Sequence, residues 1–263
     1  MSTTNIAIIG GGNLGTAIAN GLLQSSFCDA TAITITKRNT TTLTRLQQKG
    51  IHVTSDNVAA VKNSNVIIIA VKPFQIKDIL QEIQSALTAQ HLLISVVTGV
   101  SIADMNEMLQ HPMAIVRAMP NTAIAIQQSI TCITTQHTTT EQNEWVIHLF
   151  NQLGKTVLIE EKLMNAATVL GACGTAFAMR YIRANIQGGI EIGFDAATAS
   201  LIAAQTVKGA AELLLTTQTH PEQEIDKVTT PKGCTIAGLN EMEHQGFSSS
   251  MIKGIAASFH KIG

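Results

Sequence analysis

The sequence is poor in charged residues and has no concentration of either sign. Of its 263 residues, 13% are Asp, Glu, Lys or Arg, and the formal net charge at pH 7 is −1. No cluster of Lys and Arg compensates locally, so the chain has no electrostatic footprint for nucleic-acid phosphates or an anionic membrane surface. We therefore expect neither nucleic acid nor a membrane as a partner.

Long apolar runs are also missing, although hydrophobic residues make up 45% of the chain. The longest uninterrupted apolar run is Val66–Val71, far shorter than the roughly 20 residues that cross a bilayer. We attribute the apolar surplus to buried helices and to a subunit interface. The first five residues lack the basic region of a signal peptide, which predicts a cytoplasmic protein.

Cysteine is scarce and forms no recognisable pattern. Cys28, Cys132, Cys173 and Cys234 are widely separated, with no C-x-x-C pair and no histidine at ligand spacing. We expect reduced, mostly packed thiols and no metal site. The chain is long enough for two domains.

The strongest positive signal lies at the start of the chain. Apolar Ile6–Ile9 reads as a buried strand, and Gly10, Gly12 and Gly15 follow it in G-x-G-x-x-G spacing before an apolar helical pattern. Such a strand, turn and helix presents free N–H groups to a pyrophosphate. The turn predicts a dinucleotide site. Its cofactor-binding residues are predicted to be Ile9, Gly10, Gly12, Asn13, Leu14 and Gly15.

The end of the second predicted strand, Ala32–Thr36, indicates which dinucleotide binds. An NAD site usually carries an acidic residue here for the ribose 2′-hydroxyl, whereas this chain has Lys37, Arg38 and Asn39. Two cations suit a 2′-phosphate, so NADP(H) is the preferred cofactor and NAD(H) a possible one. The alternative is a solvated strand end with two ordinary surface charges.

Strands and helices alternate as far as Ile159, which predicts an N-terminal Rossmann-type domain over residues 1–160 in an α/β fold. The run Val66–Val71 is typical of a central parallel strand buried on both faces. Ligands bind beyond the carboxyl ends of such strands. Further cofactor contacts are therefore expected at Asn57, Ala70, Val71, Lys72, Pro73, Val96, Val97, Thr98 and Asn121. For Lys72, a plain surface lysine before a loop proline is the alternative.

From Leu163 onward, strand patterns disappear. Helices are predicted over 163–187, 195–217, 221–228, 234–245 and 248–261. Residues 161–263 thus read as an all-helical domain for dimerisation and substrate binding, and its many small apolar residues suit pairing with a second copy.

Four stretches together resemble the pyrroline-5-carboxylate reductase family, and the similarity runs across nearly the whole chain. They are Ile9–Gly15, Ala70–Pro73, Arg117–Thr122 and Asp226–Leu239. The last is similar to the family's Ser/Thr-Pro-Gly-Gly-x-Thr turn, which opens a helix and binds the substrate carboxylate. The resemblance implies NAD(P)H-dependent reduction of the cyclic imine 1-pyrroline-5-carboxylate to proline. It also implies an intertwined homodimer that family members often assemble into larger rings.

The resemblance places the substrate at this turn, Thr230–Thr235, which we call the late turn. Its implied binding residues are Val228, Thr230, Gly233, Cys234 and Thr235, with Thr235 also the catalytic residue. A turn leading into a helix presents the N–H groups of Gly233, Cys234 and Thr235 to an anion. The local pattern alone fits equally well a plain helix start in which the threonine caps its own backbone.

The chain also departs from the family pattern. Gly171–Phe177 replaces a Ser-Gly-Ser-Gly-Pro-Ala-Tyr run, Arg183 stands where an acidic residue is usual, Lys232 replaces the first glycine of the late turn, and Ala123 replaces a proline. These changes bear on substrate choice more than on hydride chemistry. A related imine or keto-acid reductase and a non-catalytic nucleotide-binding subunit remain alternatives.

Overall fold

The computed structural model describes residues 4–262. The chain divides into two compact units, the first ending at Cys173 and the second comprising Gly174–Lys261. Residues 161–173 thus belong to the first unit. The boundary predicted between residues 160 and 161 stays a prediction.

The first unit is built on one sheet, which among the described residues has eight strands in the order β3-β2-β1-β4-β5-β6-β7-β8. Strands β1 to β6 run parallel, β7 is antiparallel to β6, and β8 is parallel to β7. This confirms the predicted α/β fold with a Rossmann-type sheet. The strands are β1 (Ile6–Ile9), β2 (Ile33–Thr36), β3 (His52–Thr54), β4 (Val66–Ile69), β5 (Leu92–Ser95), β6 (Ala114–Met119), β7 (Ser129–Gln136) and β8 (Gly154–Leu158).

Helices cover both faces of this sheet. They are α1 (Asn13–Ser25), α2 (Thr44–Gln48), α3 (Asn57–Lys62), α4 (Ile76–Ile83), α5 (Ile102–Met108), α6 (Thr140–Asn151) and α7 (Met164–Ala167). In β1, Ile6 and Ile8 pack in one apolar layer with α1 and α6, while Ala7 and Ile9 pack in the opposite layer with α3, α4 and α5. A strand buried on both faces needs an uninterrupted apolar sequence, which explains why β1 and β4 do not alternate.

Two predicted elements differ in form. The sequence pattern predicts a polar-faced helix over 41–49 that ends at Gly50, but this segment begins as a 3₁₀ turn, Thr40–Leu43, before the short α2. The helix expected over 163–187 is broken, because a π-helical segment, Thr168–Cys173, separates α7 from the next helix. Within that segment the Gly171 carbonyl accepts a hydrogen bond from the Asn121 side chain at 3.2 Å, a tertiary contact that the sequence pattern does not reveal.

The second unit is entirely helical, as predicted. It contains α8 (Gly174–Glu191), α9 (Ala196–Thr217), α10 (Pro221–Lys227), α11 (Cys234–His244) and α12 (Phe247–Ile262, whose last residue groups with the first unit). Among the described residues of these helices, only Ala199 and Ala203 are buried. Large apolar side chains are instead exposed along them, including Met179, Ile190, Leu201, Leu213, Ile252 and Phe259.

Candidate active site

The glycine turn, Gly10–Gly15, follows β1 and contacts the carboxyl ends of β2 and β4. Gly10 has φ +112°, and a Cβ there would lie 2.6 Å from the carbonyl oxygen of Ala70, directly after β4. The Gly10 N–H donates to the Thr36 hydroxyl at 3.3 Å, and the Gly11 N–H donates to the Thr36 carbonyl at 2.6 Å. Only glycine allows this backbone conformation and this approach at position 10 without strain. Thr36, which the sequence did not single out, is therefore a structural part of the turn.

The other two motif glycines differ in their surroundings. Gly15 packs its Cα against the Gly10 carbonyl oxygen so closely that a Cβ would overlap it. Gly12, the N-cap of α1, has extended backbone, and a Cβ there would meet nothing within 4 Å. No side chain caps α1, and the first N–H groups of a helix have no intrahelical acceptor. The open space at Gly12 and these donors fit a pyrophosphate.

The remaining strand-end residues lie along the same edge of the sheet. The Ala70 N–H donates to the Ile9 carbonyl at 2.8 Å, and the Val96 N–H donates to the Ile69 carbonyl at 3.0 Å. The predicted segments after β4 and β5 are therefore held beside the glycine turn. Among the predicted residues here, Arg38, Lys72 and Pro73 are exposed, and Lys37, Val71 and Thr98 are half-buried.

Two predicted cofactor residues have side chains engaged elsewhere. The Asn57 amide donates to both carboxylate oxygens of Glu82, at 3.1 and 3.0 Å. The Asn121 Oδ1 accepts from the Ala123 N–H at 3.0 Å, while its Nδ2 donates to Gly171. In this structure Asn121 orders its own turn and the π-helical segment. Its contact with a cofactor, like that of Asn57, stays a prediction.

An ion pair between a buried arginine and a half-buried glutamate was not predicted from the sequence. Arg117 on β6, with its side chain only 4% exposed, places Nη1 3.2 Å from Oε1 of Glu161, whose side chain is 35% exposed. The same carboxylate oxygen accepts from the Ile102 N–H at 2.7 Å, at the start of α5. Glu161 thus joins the central sheet to the helix that follows the Val96–Thr98 segment. Forty-four residues separate the two charges, so no local pattern could reveal the pair.

Replacing Glu161 with alanine should destabilise the protein by about 3 kcal/mol, because it leaves the buried Arg117 charge without its carboxylate. Urea unfolding followed by circular dichroism measures the change. Glu160→Ala is the matched control, since Glu160 pairs with Lys162 while both side chains are about 70% exposed, and such pairs contribute little. Equal stability of the two variants would contradict the structural role of the pair.

All four cysteines are free thiols. Burial raises the pKa of Cys28, with the Asp29 charge adding to the effect, and burial likewise raises the pKa of Cys132. Both are therefore protonated at neutral pH, which suits packing rather than nucleophilic chemistry.

The late turn lies in the second unit, between α10 and α11. The Gly233 N–H donates to the Thr230 carbonyl at 2.9 Å, and a Cβ at Gly233 would lie 2.5 Å from the Thr230 hydroxyl. Gly233 is the N-cap of α11 with no side-chain cap, so the first N–H groups of α11 remain available to an anion. Cys234 and Val228 are exposed, and Thr235 is half-buried. The predicted substrate residues thus extend from the C-cap of α10 to the first two residues of α11.

Two protein-family models match parts of the chain. The model described as pyrroline-5-carboxylate reductase dimerisation matches residues 161–263. The model described as NADP oxidoreductase coenzyme F420-dependent matches residues 5–99.

Curated relatives and solved structures cover nearly the whole chain. Pyrroline-5-carboxylate reductase 1 of Dictyostelium discoideum is 49% identical over 97% of this chain, which spans 49% of that relative's length. Pyrroline-5-carboxylate reductase 2 of the same organism is 44% identical, covering 98% of this chain and 91% of the relative. The NADP-bound crystal structure of Plasmodium falciparum pyrroline carboxylate reductase superposes with a TM-score of 0.90 at 26% identity, covering 100% of this chain and 98% of that one. The chain therefore belongs to the pyrroline-5-carboxylate reductase family, NAD(P)H-dependent oxidoreductases that act on a CH–NH bond.

Proposed function

We propose that this enzyme reduces 1-pyrroline-5-carboxylate to L-proline, the last step of proline biosynthesis, with NADP(H) preferred and NAD(H) a possible alternative. The observation that carries the proposal is the start of α11. A glycine N-cap without a side-chain cap leaves N–H donors for a small carboxylate, and Thr235 follows in the first turn of the same helix.

The cofactor would be held at the strand ends of the first unit. The open position at Gly12 and the uncapped start of α1 suit the pyrophosphate, and Ala70–Pro73 and Val96–Thr98 suit the ribose and nicotinamide. When bound, the reduced nicotinamide supplies the hydride that the reaction requires.

The protein's own part in the reaction is chiefly orientation. The N–H groups of Cys234 and Thr235 hold the carboxylate, whereas the Gly233 N–H, which was expected to join them, is already donated to the Thr230 carbonyl. The Thr235 hydroxyl lies beside the ring nitrogen as an adaptable donor and acceptor. The hydride adds to the imine carbon, C2 of the pyrroline ring, which becomes C5 of proline. The electron pair of the C=N π bond moves to nitrogen, which keeps the proton of the iminium. Because a protonated imine is already electrophilic, the mechanism needs no strong general acid.

The preference for NADPH is assigned to Lys37 and Arg38. In Arg38→Ala we expect kcat/KM for NADPH to fall about 10- to 50-fold, the size of a lost charged hydrogen bond, while kcat/KM for NADH stays the same. Steady-state kinetics with both cofactors measure this change. Arg45→Ala, which removes an exposed arginine of α2, should leave both values unchanged. Equal losses with both cofactors would contradict the assignment.

The substitutions at Gly171–Thr175, Arg183 and Lys232 bear on substrate choice, so the second candidate is a related NADP-dependent reductase of another imine or of a keto acid. Oxidation of NADPH with pyrroline-5-carboxylate, compared with a panel of cyclic imines and keto acids, decides between them. Highest kcat/KM with pyrroline-5-carboxylate supports the first proposal. Absence of turnover with every compound would favour the non-catalytic nucleotide-binding subunit.

A homodimer or larger homo-oligomer is part of the proposal. Support comes from the match to a dimerisation model and from the exposed apolar side chains of α8, α9 and α12, which a monomer would leave in water. Light scattering coupled to size exclusion measures the assembly, and a monomer at micromolar concentration would contradict it. No helix in the described part of the chain is long and apolar enough to cross a bilayer. A cytoplasmic location stays a prediction.

A further inference from the structure

Lys232 has an unusual backbone conformation for a lysine. Its φ is +61°, in the left-handed region, where a Cβ crowds the following carbonyl oxygen and glycine is favoured. It occupies the position where the resemblance leads us to expect glycine. The backbone thus gives no reason for a lysine here, and an outlier of this kind invites an explanation through its side chain.

The charges before the turn supply that explanation. Helix α10 carries three carboxylates, Glu222, Glu224 and Asp226, against the single cation Lys227, and Lys227 Nζ lies 2.6 Å from Glu224 Oε1. Helix α10, which directly precedes the turn, therefore carries a net negative charge. Lys232 is exposed at the turn between the two helices. Among residues 4–262, the ion pairs within 4.0 Å involve only Arg117, Lys162 and Lys227 as cations, so the Lys232 charge is not neutralised by a carboxylate.

We propose that Lys232 is a specificity-determining residue that favours imines carrying a carboxylate. Its ammonium offsets the α10 carboxylates and raises the rate at which such substrates reach Gly233–Thr235. The role rests on the proposed function of this turn. This role also explains why lysine replaces the expected glycine, because glycine would add no positive charge to offset the α10 carboxylates.

The test compares Lys232→Gln with the parent in the full-length enzyme at saturating NADPH. At about 10 mM salt, kcat/KM for pyrroline-5-carboxylate should fall about three- to fivefold. At about 1 M salt, where the Debye length is about 3 Å, the two enzymes should become equal. The KM for NADPH should not change, because this cofactor is assigned to other residues. Lys62→Gln, which removes one exposed charge on α3, should match the parent at both salt concentrations.

A second variant separates charge from backbone strain. Lys232→Gly should show the same kinetics as Lys232→Gln but a higher melting temperature than the parent, since glycine adopts a positive φ without strain. A kinetic defect in Lys232→Gln that persists at high salt, or an unchanged kcat/KM at low salt, would overturn the role of Lys232. No turnover of pyrroline-5-carboxylate by the parent would overturn the proposed function itself.

Discussion

Gly12→Val should weaken NADPH binding about 100-fold or more while leaving the protein folded. The new side chain would stand where a Cβ meets no protein atom within 4 Å, and Gly12 already has an extended backbone, φ −79° and ψ −166°, which valine readily adopts. The two methyl groups would then fill the space that the pyrophosphate needs beside the start of α1. We expect the Kd for NADPH to rise about 100-fold or more, equivalent to about 3 kcal/mol.

Two measurements separate binding from stability in this variant. Titration of NADPH fluorescence gives the Kd, and thermal unfolding should show a loss of about 2–4 °C, because valine is a poor N-cap residue. Gly15→Ala is the matched control within the same motif. Its Cβ would overlap the Gly10 carbonyl oxygen, so we expect a loss of about 2–3 kcal/mol in the free energy of unfolding. Unimpaired NADPH binding by Gly12→Val would refute the placement of the pyrophosphate.

Thr235→Val should lower kcat/KM for pyrroline-5-carboxylate about 100-fold, the effect of removing one well-placed hydrogen-bonding group from a reacting centre. Valine keeps the shape of threonine, and no side chain caps α11, so the start of that helix should be preserved. Steady-state kinetics at saturating NADPH give the value, and the KM for NADPH should stay the same.

The control for this prediction is Thr235→Ser, which retains the hydroxyl and should lie within about fivefold of the parent. If serine and valine variants behaved alike, the methyl group or the backbone would carry the effect instead of the hydroxyl. Parental kinetics in Thr235→Val would remove Thr235 from the catalytic role.

Much of the first unit could be predicted because its signals are local. Uninterrupted apolar runs at Ile6–Ile9 and Val66–Ile69 predict buried parallel strands, and the structure has β1 and β4 there. The direction of β7 could not be predicted, because parallel and antiparallel strands differ in their partners and not in their own sequence. The π-helical segment was missed for a similar reason: helical periodicity does not register one wider turn.

The candidate site divides in the same way. The glycine spacing was found from neighbouring residues and the late turn from the family resemblance. Spacing could not tell that Gly10 and Gly15 are close to other backbone atoms while Gly12 is open. Asn121 was predicted to contact the cofactor, and the structure gives its side chain two partners in the protein. Whether it also contacts the cofactor stays a prediction.

The sequence by itself determined two helices that start at a glycine, at Gly12 and at Gly233, because each start depends on that glycine and the few residues that follow it. Only the tertiary structure decided that Glu161 joins Arg117 to the start of α5, and that Lys232 holds a left-handed backbone without a paired carboxylate among the described residues. Helix starts are set by short-range hydrogen bonding. The Arg117–Glu161 pair depends instead on how distant segments pack, and the backbone conformation of Lys232 depends on how α10 and α11 are connected in the folded chain.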